Sequence, residues 1–69
     1  MQYKVQIAMD NGQSKIICIE GNNKNEVIEK LLMAETPGPL MNKFSTVNTR
    51  EGNCFTYCVG KLSSIEILY

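Results

Sequence analysis

Residues 16–19 read Ile-Ile-Cys-Ile, four apolar side chains with no polar break. Rich in Ile, the segment around them, "SKIICIE", reads as a β-strand. Strand side chains alternate between faces, so Ile17 and Ile19 project one way and Ile16 and Cys18 the other. A strand that is apolar on both faces sits centrally in its sheet and calls for cover above and below. That requirement governs what the rest of the chain has to supply.

The preceding "YKVQIAM" alternates cleanly, with Tyr3, Val5, Ile7 and Met9 on one face and Lys4, Gln6 and Ala8 on the other, a half-buried strand. Asp10-Asn11-Gly12 joins the two strands as a β-hairpin. A two-residue Asn11-Gly12 turn would pair Val5 with Cys18. A three-residue loop, with Gly12 in the left-handed position, pairs Val5 with Ile17 and Tyr3 with Ile19. The second register gathers the larger residues on one face and is preferred, because a slip of one residue exchanges the faces.

"GNNKNEVIEKLLMAE" follows. Asn23 is a good N-cap and Glu26 stands three residues on, a capping-box-like pattern. Val27, Ile28, Leu31, Leu32 and Ala34 form an apolar stripe while Lys24, Glu29 and Lys30 face water. The helix is expected to stop at Thr36, before Pro37, with residues 36–42 as a connector. "KFSTVNTREGNCFTYCVG" repeats the hairpin logic, with Gly52 placed as Gly12 is in the first hairpin. Val47 then pairs with Phe55 and Ser45 with Tyr57, and Val59 keeps their face. "SIEILY" can add a short final strand. The expected fold is α+β: an antiparallel sheet of four or five strands in β-β-α-β-β order, with one helix packed on one face. It forms a single domain over residues 1–69.

A core of this size buries only roughly 60% of the unfolded surface. Small domains offset that with disulfides, metals or self-association. An apolar fraction of 43% against 20% charged residues is a globular composition. Seven basic and seven acidic residues cancel, which argues against nucleic acid, anionic membrane and DNA mimicry alike. No apolar run could cross a bilayer and no charged-then-apolar leader opens the sequence. With three cysteines, an odd number, the expectation is a cytoplasmic protein with reduced thiols.

"NCFTYC" is the stretch that most resembles chemistry. On a strand, however, Cys54 and Cys58 lie roughly 13 Å apart at ~3.3 Å per residue, too far to grip one ion or each other. The sequence holds no histidine, so neither a metal site nor a Ser-His or Cys-His nucleophile pair is expected. Buried cysteine then serves as a small hydrophobe. Glu26, Glu29, Glu35 and Glu51 fall at a cap, on the helix and in a turn, leaving Glu20 and Glu66 as the only strand carboxylates. No catalytic residue and no cofactor is expected, and the chain is read as non-enzymatic.

Three binding readings remain. Asn22, Asn23, Lys24 and Asn25 enter a helix N-terminus, where free amides and the dipole can hold a small anionic ligand or nucleotide, though capping alone accounts for the asparagines. Tyr3, Phe44, Phe55 and Tyr57, with Lys4, Lys43, Arg50 and Lys61, sketch an RNA-stacking sheet. Most of those aromatics, however, share the parity of the helix-covered face. The third reading is an interface. With Tyr3, Val5, Ile7, Ile17, Ile19, Val47, Phe55, Tyr57 and Val59 under the helix, the opposite face presents Ala8, Ile16, Cys18, Phe44, Cys54 and Cys58, a surface suited to association. The sequence therefore points to a homo-oligomeric interaction module that modulates a partner protein by docking. Its composition, rich in Asn, Lys and Ile, suits a bacterial or phage regulator or inhibitor of a host enzyme. The alternatives are a ligand-sequestering protein with its site between subunits and, third, an RNA-binding sheet.

Overall fold

A computed structural model describes Met1–Tyr69. In chain order it contains strands β1 (Gln2–Met9) and β2 (Ser14–Glu20), helix α1 (Lys24–Leu32), then β3 (Phe44–Thr49), β4 (Cys54–Cys58) and β5 (Leu62–Ile67). Short 3-10 turns at Leu40–Asn42 and Val59–Lys61 lead into β3 and β5. The five strands form one antiparallel sheet in the order β4-β3-β2-β1-β5. The order along the chain is thus β-β-α-β-β-β, with "SIEILY" contributing to the fifth strand. β2 occupies the centre, as its two-sided apolar character requires.

Both hairpins use the same turn. Met9 N–H donates to Gln13 O (2.8 Å) and Gly12 N–H to Met9 O (3.1 Å). Thr49 and Gly52 repeat this with Asn53 O (2.8 Å) and Thr49 O (3.0 Å). Gly12 at φ +89° and Gly52 at φ +90° supply the left-handed residue that each loop needs. The resulting registers, Val5 with Ile17 and Val47 with Phe55, are those of the three-residue loops.

At the start of α1 the Asn23 side chain accepts the Glu26 N–H at 2.8 Å, which fixes the entry to the helix. The helix ends at Leu32, four residues short of the expected Thr36. Met33 adopts φ 51°, ψ 48°, and the N–H groups of Met33 and Ala34 fold back onto Lys30 O and Glu29 O, a Schellman-type stop. Ala34, expected in the apolar stripe, is consequently exposed, while Ile28 and Leu32 are half-buried. Val27 and Leu31 are the buried helical residues, and they pack with Tyr3, Val5, Ile7, Ile17, Tyr57 and Val59 into one core. Ile19, Val47 and Phe55, placed under the helix by parity, are only partly buried at its margin. No helix is long and apolar enough to cross a membrane.

The two 3-10 turns pack on each other at Gly60. A Cβ there would fall on the Met41 sulfur and 2.9 Å from the Met41 backbone nitrogen, so backbone rather than a movable side-chain tip would have to yield. Gly60→Ala is therefore expected to destabilise the fold by about 1–3 kcal/mol, read as a lowered urea midpoint with an unchanged slope. An unaltered midpoint would mean that the turns are not packed against each other.

Candidate interaction surface

The helix covers one face of the sheet, and no second helix or strand layer covers the other. The bare face carries Gln2, Lys4, Gln6 and Ala8 from β1, Ser14, Ile16, Cys18 and Glu20 from β2, and Phe44, Thr46 and Asn48 from β3. Cys54, Thr56 and Cys58 come from β4 and Ser64 and Glu66 from β5. All six residues expected on this face lie there. Phe44 is 61% exposed, Cys54 is exposed, and Ala8, Ile16, Cys18 and Cys58 are half-buried.

They are not evenly spread. Phe44 sits directly opposite Cys58. Lys4, Cys18, Asn48 and Cys54 make one row across four strands. Ala8 stands apart, flanked by Ser14 and Ser64, and Ile16 lies opposite Gln6. Among the strand residues of this face the apolar side chains thus gather on β2, β3 and β4, and β1 and β5 present polar ones; the exposed Met1, Leu68 and Tyr69 flank the β1-β5 side at the chain ends. The turn carrying exposed Leu40 (49%) and Met41 (55%) adjoins the corner of Phe44 and Cys58, with the Cys58 thiol donating to Met41 O at 3.4 Å. Sequence periodicity could not place these two, because they lie in a connector; the apolar pair within "PLMN" was the available signal.

The thiols do not form a site. Asn48 lies between Cys18 and Cys54 and accepts from the Cys54 thiol at 3.8 Å, which leaves the two sulfurs two strands apart. All three cysteines are free, and no three metal-ligating side chains converge. Glu20 and Glu66 flank β1 on opposite sides, opposite Gln2 and Gln6 respectively. Those two positions are four steps apart along β1, roughly 13 Å at ~3.3 Å per residue, so the carboxylates do not converge as an acid–base pair.

At the helix N-terminus, the Asn23 side-chain oxygen is engaged in capping. Asn23 and Asn25 line an open depression with Glu26, Glu29, Glu35 and Lys30, and Lys24 is not among its walls. Lys30 is held 3.4 Å from Glu26 and donates to Glu20 O at 2.8 Å. Three carboxylates around one engaged lysine weigh against an anion there.

The stacking platform is also dispersed. Tyr3 and Tyr57 are core residues and Phe55 is half-buried, stacked on Tyr57 with ring centroids 6.1 Å apart. Lys43 is 9% exposed, and its ammonium donates to Met33 O at 3.2 Å, capping the helix C-terminus instead of facing a phosphate. Lys4 lies over the Tyr69 ring, 4.9 Å from its centroid.

No protein-family model matches the chain, and neither a curated protein nor a solved structure shows significant similarity to it.

Tyr57 supplies a pH test of its core placement. Its hydroxyl donates to Leu31 O. Burial pushes its pKa above the ordinary value of 10.0, and a hydrogen bond with Ser45 partly opposes this. The folded state therefore holds the neutral phenol longer than the unfolded chain does. Its contribution to stability is complete below the unfolded pKa of about 10 and is lost as pH rises through the higher folded value. Urea midpoints should fall in that alkaline window. Tyr57→Phe should cost about 1–3 kcal/mol near neutral pH, since Leu31 O loses its partner, and should flatten the alkaline fall. An equally steep fall in the variant would refute a buried phenol.

Proposed function

We propose that this chain is a small, non-enzymatic, homo-oligomeric interaction module that modulates a partner protein by docking. The observation that carries the reading is the one-sided cover of the sheet. Five strands receive a single nine-residue helix, and the bare face bears the pair of Phe44 and Cys58 at a corner that the turn with exposed Leu40 and Met41 adjoins. Exposed apolar surface gathered in one place marks association more often than scattered apolar residues do. The shortage of core in so small a domain favours the same outcome.

Charge is consistent with docking on protein. The formal net charge is zero, and the basic side chains are divided among the helix terminus, the loops and the sheet, so no field draws in a polyanion. Free thiols fit a reducing compartment, and the proposed site of action is the cytoplasm. A regulator or inhibitor of an enzyme, bacterial or phage-borne, is the form of docking proposed.

Light scattering coupled to size exclusion, from low micromolar to near-millimolar protein, tests the homo-oligomeric part. The expected mass is a multiple of the 7.8 kDa chain that persists on dilution. A strict monomer throughout the range sinks the reading.

A further inference from the structure

We infer that the exposed edge of β4 is a homodimer seam, at which two copies of the chain pair antiparallel about Thr56 to build one ten-stranded sheet. The inference rests on the homo-oligomeric reading above and specifies its interface.

The sheet ends at β4 on one side and β5 on the other. Exposed edges attract further strands, and proteins blunt them with charges, prolines and bulges. β5 is blunted: it carries Glu66, and its pairing with β1 shifts register between Ala8 and Met9. β4 reads Cys-Phe-Thr-Tyr-Cys, with no charge and no proline, and its register against β3 is unbroken.

The hydrogen-bond phase of β4 sets the geometry. Thr49 N–H donates to Asn53 O (2.8 Å) at one end of the β3-β4 ladder and Val59 N–H to Lys43 O (2.9 Å) at the other. Because bonded and non-bonded pairs alternate along an antiparallel ladder, residues 53, 55, 57 and 59 direct their backbone groups to β3. Cys54, Thr56 and Cys58 direct theirs outward to the open edge. A two-fold axis at Thr56 places Thr56 against the partner's Thr56, and Cys54 against the partner's Cys58. All three outward residues then meet outward residues.

The sequence is self-complementary about the same axis. Cysteine faces cysteine, threonine faces threonine, and Phe55 faces the partner's Tyr57, an aromatic cross-strand pair. Tyr57 is already buried in its own core, so the seam would chiefly cover Phe55, which is half-buried in one chain with the Lys15 ammonium over its ring. A second copy is thus the occupant whose chemistry the strand itself specifies. On the bare face the seam brings the two β2-β3-β4 halves together. Phe44, Cys18, Cys54 and Cys58 of both chains then occupy the middle of a doubled surface, and the polar β1 and β5 strands form its rims. An apolar centre with a polar rim is the anatomy of a docking site.

Thr56→Pro is the discriminating variant. Proline removes an amide that points away from β3, so the single chain loses no ladder bond, and edge strands tolerate proline. The wild type should scatter at twice the 7.8 kDa chain mass. Thr56→Pro should halve that mass while retaining the wild-type circular dichroism spectrum. Ile16→Lys, on the bare face two strands from the edge, should keep the doubled mass. Should Thr56→Pro misfold, Thr56→Lys replaces an exposed side chain and sets two ammonium groups against each other at the axis; its mass should be halved at low salt and recover at high salt. An oligomer that survives both Thr56 variants, or that Ile16→Lys dissociates, overturns the edge seam and leaves the homo-oligomeric reading standing. A wild-type monomer at every concentration overturns both.

Discussion

Val27 and Leu31 are fully buried with Val5, Ile7 and Ile17, and that contact between a short helix and the centre of the sheet decides the rest of the molecule. Nine helical residues span roughly 13 Å at ~1.5 Å per residue. Five strands at ~4.8 Å spacing extend about 19 Å from first to last. The helix therefore cannot reach every strand of even the face that it covers. Residues directly beneath it are sealed, while Phe55, Val47, Ile65 and Ile67 remain partly open at its flanks. The other face has no helix over it and meets only the Tyr69 ring, beside Lys4.

The joint between the hairpins explains why the helix must also act as a clamp. β2 and β3 share only two residue pairs, Ile17 with Thr49 and Cys18 with Asn48, extended by Arg50 N–H donating to Ile16 O at 3.0 Å. Beyond them the strands part. Three side chains bridge this thin joint through the helix: Tyr57 to Leu31 O and Lys43 to Met33 O from the second hairpin, and Lys30 of α1 to Glu20 O of the first. Each donates to a carbonyl that a helix end or a strand end leaves without a partner. The second hairpin thus holds the C-terminal end of α1, which itself packs on the first. Loss of the helix contact would leave two hairpins joined by a few hydrogen bonds, and isolated hairpins are marginal in water.

What could be read from the residues follows from how local each signal is. Asp10-Asn11-Gly12 and Arg50-Glu51-Gly52 fix their registers through a single glycine each, so parity, and with it the bare face, was available in advance. Asn23 announced the start of the helix through its side chain. The helix end was not legible, because a methionine in the left-handed conformation leaves no mark in the sequence, and "TPGP" offered a plausible but later stop. Lys43 resembled a solvent-facing cation, and its burial depends on where Met33 O arrives from another part of the chain. The grouping of Phe44 and Cys58 with Leu40 and Met41, and the isolation of Ala8 among serines, depend on strand order, which no local pattern encodes.

Strand order is accordingly where architecture meets function. The last strand could have continued the meander beside β4; instead the Val59–Lys61 turn sends it across to β1, with Asp10 N–H donating to Lys61 O at 2.8 Å. On β1, β5 covers the polar half of the bare face's border and brings Glu66 to that edge. Had it paired with β4, the uncharged Cys-Phe-Thr-Tyr-Cys segment would lie inside the sheet, and the apolar corner around Phe44 would be one step further from any edge. The crossover therefore does two things at once. It blunts the side of the sheet that carries polar residues, and it leaves open the side where backbone phase, side-chain symmetry and apolar surface coincide. A chain too small to enclose a second core gains most from association when its open edge and its bare apolar face adjoin, because one contact then extends both the ladder and the buried surface.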